Sequence, residues 1–215
     1  MKRTNILIFL CILASFFYWY VDPDFVTDFL VFRGTDFFQG KFWTAVTAIF
    51  IHGNLIHLIG NMLFLYVFGN TLEDEFGAKK ALAVFFIGGI FSFILSTFFY
   101  SLETVIIGAS AAIFTVMAIV MLTKPLKFSW LFLMPLGLVA LLYLLFNIAA
   151  TYYMVDGSIG YLSHIIGFII GFPFGISWSR GKWIRNLLIT ILVLIAYLVV
   201  MNLLSSILNL ALPSM

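Results

Sequence analysis

Charge is what this chain has least of. Only 9% of its 215 residues are Asp, Glu, Lys or Arg, against roughly 25% in an ordinary soluble domain. So few charges cannot cover a water-facing surface, which excludes a soluble globular protein. Cysteine is nearly absent: Cys11 stands alone, so no internal disulfide can form, and no cysteine–histidine zinc spacing exists. The chain also lacks a long linker, a low-complexity tract, an obvious internal repeat and a second domain.

What is present is apolar. Hydrophobic residues make up 64% of the chain. Apolar runs at about 5–21, 55–72, 80–100, 107–123, 129–150, 159–178 and 184–210 read as membrane spans of roughly 20 residues each. The first follows Lys2 and Arg3, ends in Phe16-Phe17-Tyr18-Trp19-Tyr20 and has no Ala-x-Ala cleavage pattern. It reads as a retained span rather than a signal peptide. Cys11 lies inside it, as a small lipid- or core-facing residue.

The cations choose the orientation. With the N-terminus in the cytoplasm, nine lie inside: Lys2, Arg3, Lys79, Lys80, Lys124, Lys127, Arg180, Lys182 and Arg185. Only two, Arg33 and Lys41, lie outside. That asymmetry is decisive under the positive-inside rule and makes the basic loops topology signals rather than nucleic-acid patches. Asp22, Asp24, Asp28, Asp36, Glu103 and Asp156 fall outside; Glu73, Asp74 and Glu75 are the inner exceptions. The segment 22–51 mixes charges with Phe25, Phe29, Phe32, Phe37, Phe38, Phe42 and Trp43, a composition suited to the membrane interface.

Against this background three polar islands stand out: His57 to Asn61, Gly108-Ala109-Ser110, and His164 to Gly167. Polar side chains in apolar runs are costly and invite a functional reading. The topology puts all three within roughly 10 Å of the outer boundary, at 1.5 Å per helical residue. His57 and Asn61 are four residues apart and share a helix face. His164, Gly167 and Gly171 share another, with Gly175 beyond, and such a glycine groove lets a neighbouring helix approach closely. The fourth span, with Gly108, Ser110, Ala111, Thr115 and Ala118, is the expected partner. Serine, histidine and asparagine are the types needed for nucleophile, base and oxyanion donors.

These motifs together resemble those of the rhomboid intramembrane serine proteases. Trp43, His52-x4-His57-x3-Asn61 and Gly69-x3-Glu73-x3-Gly77 are similar to the family's first loop and second span. Gly108-Ala109-Ser110 resembles its nucleophile motif, and His164-x2-Gly167-x3-Gly171 its base-carrying helix. The resemblance covers about residues 5–178. It implies an all-α polytopic membrane protein with a rhomboid-like six-helix core over 1–178, whose interfacial first loop is 22–51. A basic cytoplasmic loop and a seventh transmembrane helix would follow over 179–215. It implies Ser110 as nucleophile and His164 as base in a dyad. The Ser110 N–H, His57 and Asn61 would hold the oxyanion, and Phe114 would pack on the base. Gly108, Ala111, Gly167, Gly171, His52 and Trp43 would support them. No cofactor or metal is implied. The partners would be the lipid bilayer and transmembrane segments of other proteins, cut near their outer ends, in a prokaryotic plasma membrane. The fifth span and the loop around Met154 to Tyr161 would admit substrate.

Three positions depart from the family. Ala111 follows the serine where glycine is usual; its methyl could hold the fourth and sixth helices slightly apart and loosen the Ser–His contact, but alanine is small, so reduced tolerance rather than inactivity is expected. Thr44 replaces an arginine after the loop tryptophan, and Ala118 stands where glycine is frequent. Plainer readings stay open. Ser110 alone could bond its own helix, and His57 with Asn61 could be a polar clamp between helices. His52 reads as a brace for the interfacial loop, Glu73 as a helix-packing and hydrogen-bonding element near the cytoplasmic end, and Asp156 as a solvated loop charge. At the level of function, the alternatives are a catalytically impaired rhomboid-like protein that binds or chaperones transmembrane segments, and a haem or metal protein using His52, His57 and His164. A transporter fits less well, for want of an inverted repeat.

Overall fold

In the computed structural model, which describes residues 2–21, 23–153 and 160–211, the apolar runs become helices with a few instructive exceptions. The first run is α1 (Arg3–Tyr20). The first loop folds into three short helices, α2 (Pro23–Phe29), α3 (Gly34–Phe38) and α4 (Thr44–Phe50). The second run is one column from Leu55 to Phe76, made of α5 (Leu55–Phe64), a π-helical turn (Leu65–Gly69) and α6 (Asn70–Phe76). Then come α7 (Ala78–Ser96), α8 (Ser110–Thr123), a two-residue antiparallel pair β1 (Phe128–Ser129) and β2 (Met134–Pro135), α9 (Leu136–Tyr152), α10 (Tyr161–Trp178) and α11 (Trp183–Ala211).

Among the described residues, five helical columns are long and apolar enough to cross a membrane: α1, Leu55–Phe76, α7, α10 and α11. The apolar helices α8 and α9 are shorter. The brevity of α8 matters. Its 14 residues rise about 21 Å, less than the roughly 30 Å of bilayer hydrocarbon. A helix this short can start well below one surface, and it starts at Ser110.

α8 is the axis of the bundle, with every residue from Ala111 to Leu122 buried. α10 lies against it backbone to backbone. A Cβ on Gly167 would land on the Ala111 carbonyl, and one on Gly171 on the Thr115 carbonyl; one on Gly175 would come 2.8 Å from the Leu122 side chain. The glycine groove read from the sequence is therefore filled by α8. Thr115 ties the pair by donating its hydroxyl to the Gly167 carbonyl at 2.7 Å, as small polar residues do between membrane helices.

The spaced residues Gly69, Glu73 and Gly77 have separate jobs at the opposite end. A Cβ on Gly69 would sit 2.7 Å from Thr4 Cγ2, so glycine lets α1 come close. Glu73 accepts from the backbone N–H of Arg3 (2.8 Å) and Thr4 (2.7 Å) and from the Thr4 hydroxyl (2.7 Å). A carboxylate thus satisfies the free amides at the start of α1, where the helix dipole favours negative charge. Gly77, at φ +82°, turns the chain into α7.

The fifth run, expected over 129–150, becomes a helix only from Leu136. Pro135 has no N–H to donate and holds the chain extended at the helix start, and Leu133 adopts a left-handed φ of 54°. The preceding residues pair as a hairpin, and Leu136 and Gly137 donate back to Lys127 and Pro125. An apolar sequence alone cannot separate such a hairpin from a span. The third run likewise stops at Ser96 rather than 100. Asp22 of the first loop lies outside the described residues, as do Asp156 and most of Met154 to Tyr161 in the outer loop before α10.

Candidate active site

Ser110 is the first residue of α8, reached through a turn that only glycine can make. Gly108 holds φ +109°, a conformation side chains disfavour, and a Cβ there would lie 2.8–2.9 Å from the His57 ring atoms Cε1 and Nε2. Both facts require glycine. The loop is pinned by two bonds: Gly108 N–H donates to the Ala48 carbonyl at 2.8 Å, and Ala109 N–H donates to His52 Nε2 at 3.4 Å.

His164, near the start of α10, places Nε2 2.7 Å from Ser110 Oγ. Its ring stacks on Phe114, one turn into α8, with centroids 4.8 Å apart and planes 8° from parallel. The loosening that Ala111 could bring does not occur. Gly167 packs against the Ala111 backbone, Ala111 is buried, and the serine–histidine contact keeps ordinary hydrogen-bond length.

The other nitrogen of His164 meets a residue that the sequence reading passed over. Nδ1 lies 2.7 Å from Asn147 Oδ1 on α9. Asn147 is fully buried, and its own Nδ2 donates to the Tyr143 carbonyl one turn earlier at 2.7 Å. A signal was available: Asn147 is a lone amide in an apolar run, the same cost that singled out the histidines.

His57 and Asn61 complete the cluster from α5. Asn54 caps that helix by accepting the His57 N–H at 2.8 Å, which sets the first turn and with it the His57 ring beside Gly108. Asn61 is buried, and its Nδ2 has no hydrogen-bond partner; that atom would lie 3.7 Å from a Cβ at Gly108. An unpaired buried amide donor is expensive, and here it lies beside the backbone that leads into the serine.

His52 is near the site but closed off. Its Nδ1 lies 3.0 Å from Ser15 Oγ on α1, Ser15 Oγ donates to the Phe50 carbonyl, and Trp19 Nε1 donates to the His52 carbonyl at 2.8 Å. Burial first, then the neighbouring His57 ring, pushes the His52 imidazole down to about 3, so it is neutral at ordinary pH. It braces the first loop and the Ala109 N–H together. Trp43, half exposed, donates Nε1 to the Phe29 carbonyl at 3.0 Å. Thr44 donates its hydroxyl to Lys41 O, while Arg33 pairs with Asp36 at 3.0 Å. The first loop is thus held without an arginine at position 44.

Two of the three histidines that a haem or metal reading would use, His52 and His164, are occupied otherwise. Both ring nitrogens of His52 and of His164 are engaged in hydrogen bonds. Among the described residues, no three His, Cys, Asp or Glu side chains gather as a metal site would need.

Comparison with known proteins agrees with the motifs. Residues 39–181 match the family model of the rhomboid domain. The chain is 34% identical over 139 residues to the mitochondrial RHOMBOID-like protein 6 of Arabidopsis thaliana, covering 62% of this chain and 42% of that one. It is 24% identical over 143 residues to Rhomboid-like protease 1 of Toxoplasma gondii, covering 66% and 49%. A third relative, the chloroplastic Rhomboid-like protein 11 of Arabidopsis thaliana, is 36% identical over 85 residues, covering 40% and 30%. The chain spans less than half the length of each.

Proposed function

The chain belongs to the rhomboid family, and from that premise we propose that it is an intramembrane serine endopeptidase. Its substrates are transmembrane segments of other membrane proteins, cut near their outer ends where a helix can unwind and expose a peptide bond. The observation that carries this reading is the 2.7 Å contact between Ser110 Oγ and His164 Nε2, beside the unpaired Asn61 amide.

Ser110 Oγ attacks the scissile carbonyl carbon while its proton passes to His164 Nε2. The oxyanion is held by the Ser110 N–H, free at the helix start, and by the Asn61 amide and the His57 ring. His164 then gives the proton to the leaving amine, and an acyl-serine remains. Water, deprotonated by His164, attacks that ester and frees Ser110. Phe114 keeps the imidazole in plane through these steps.

The chain is an integral membrane protein. For its orientation we take the cytoplasmic N-terminus of the charge distribution, with the site opening toward the outer face and 179–215 adding a seventh span to the 1–178 core. The relatives named above are mitochondrial or chloroplastic where their names say so, and they lend no support to a prokaryotic plasma membrane.

Purified protein mixed with a single-span substrate in vesicles should release two fragments cut in the outer part of the span. Neither Ser110→Ala nor His164→Ala should do so. Cleavage by Ser110→Ala would contradict the proposal.

A further inference from the structure

We infer that Asn147 is a positioning residue for the Ser110–His164 pair, fixing the proton of His164 on Nδ1 and thereby turning the Nε2 lone pair to the serine. The inference rests on the protease reading of that pair and adds a third member to the dyad.

The hydrogen-bond directions follow from one fixed end. The Tyr143 carbonyl can only accept, so the Asn147 atom 2.7 Å from it is the amide nitrogen. The amide oxygen must then be the atom facing His164 Nδ1. An amide oxygen only accepts, so Nδ1 carries the hydrogen. In a neutral imidazole the proton on Nδ1 leaves Nε2 as the lone pair, and Nε2 is the atom 2.7 Å from Ser110 Oγ. The serine hydroxyl therefore donates to the histidine, which is the direction its deprotonation needs.

When Ser110 gives its proton to Nε2, His164 holds two N–H groups, and the one on Nδ1 keeps its bond to Asn147 Oδ1. No proton moves onto Asn147. A neutral amide orients the ring at a far lower desolvation cost than a carboxylate would carry in the same apolar surroundings. Asn147 sits in the second half of α9, where the neighbouring Leu145, Phe146 and Ile148 are exposed. Its amide is a polar link from that part of α9 to α10.

The test uses Asn147→Leu, which keeps the branched side-chain skeleton and removes both hydrogen bonds, and Asn147→Asp, which keeps the acceptor. Cleavage of a single-span substrate is measured for kcat and KM across pH, with 15N-histidine NMR for the proton position on His164. Asn147→Leu should lower kcat on the order of 10²-fold, the scale of a small misplacement of reacting groups. KM should change little, and the Nδ1–H signature of His164 should be lost. Asn147→Asp should restore most of the rate and move the acid limb of the pH–kcat profile to higher pH, because a carboxylate favours the protonated ring. Wild-type kcat and an unchanged His164 signature in Asn147→Leu would overturn the inference while leaving the protease reading intact. If Asn147→Leu does not fold, an Asn147→Asp profile identical to wild type overturns it instead. Cleavage by Ser110→Ala would sink the protease reading alone, since the NMR signature reports on Asn147 without any turnover.

Discussion

Two serine–histidine pairs sit close together in this molecule, and they differ in which ring nitrogen faces the serine. At Ser110–His164 the other ring nitrogen meets the Asn147 oxygen, an acceptor, so the serine faces a lone pair. At Ser15–His52 the other ring nitrogen accepts the Ala109 N–H, so the serine faces an N–H and passes its own hydrogen to the Phe50 carbonyl. Both rings carry their proton on Nδ1. One serine is poised to lose its proton and the other is locked as an acceptor. Burial points the same way: Ser15 and His52 are fully buried, whereas Ser110 and His164 are partly exposed. The lesson is that a short serine–histidine contact does not define a nucleophile; the group behind the histidine does.

The sharpest way to break this contrast is to remove each serine. Ser110→Ala should lower cleavage by at least about 10³-fold, the scale seen when a nucleophile is deleted. Ser15→Ala should keep kcat within a few-fold and cost stability of about 1–2 kcal/mol for a lost buried hydrogen bond, read by thermal unfolding in detergent. Loss of cleavage in well-folded Ser15→Ala would erase the distinction.

Next in size is Gly167→Val. Its side chain would meet the Ala111 carbonyl and push α10 off α8, costing about 1–3 kcal/mol. Activity should fall further than stability, since His164 rides on the displaced helix.

The buried brace predicts a pH effect. Unfolded, His52 takes a proton near its ordinary value of 6.5; folded, it refuses one until about 3. Its contribution to stability is therefore complete above 6.5 and is lost as pH falls from there toward 3. His52→Gln should flatten that part of the curve of unfolding temperature against pH. An equally steep curve in the variant would remove His52 from the account.

The smallest expected effect is that of Ala111→Gly. The serine–histidine contact is already 2.7 Å, so restoring glycine should change kcat by less than about threefold. A large gain would mean that the methyl does hold the helices apart.

These contrasts also show what a sequence can and cannot disclose. The glycine spacing at 167 and 171 and the shared face of His57 and Asn61 were legible because helical periodicity alone decides them. Glu73 was legible as a packing and hydrogen-bonding element, but its partner, the start of α1, was not, because that contact comes from 70 residues away. Ser15 gave no sign of its role, since an ordinary membrane serine bonds its own helix and its meeting with His52 depends on how α1 packs on the first loop. Asn147 was visible as a cost in an apolar run, and only the tertiary fold supplies the imidazole that meets it. The fifth span began late because Pro135 interrupts an apolar tract whose composition does not change there.

Activity-based labelling tests the difference between the two serines most directly. A fluorophosphonate probe is added to the folded protein in detergent or vesicles, and the modified peptide is identified by mass. The adduct should lie on Ser110, vanish in Ser110→Ala and His164→Ala, and never appear on Ser15. An adduct on Ser15, or one that survives Ser110→Ala, would contradict the account.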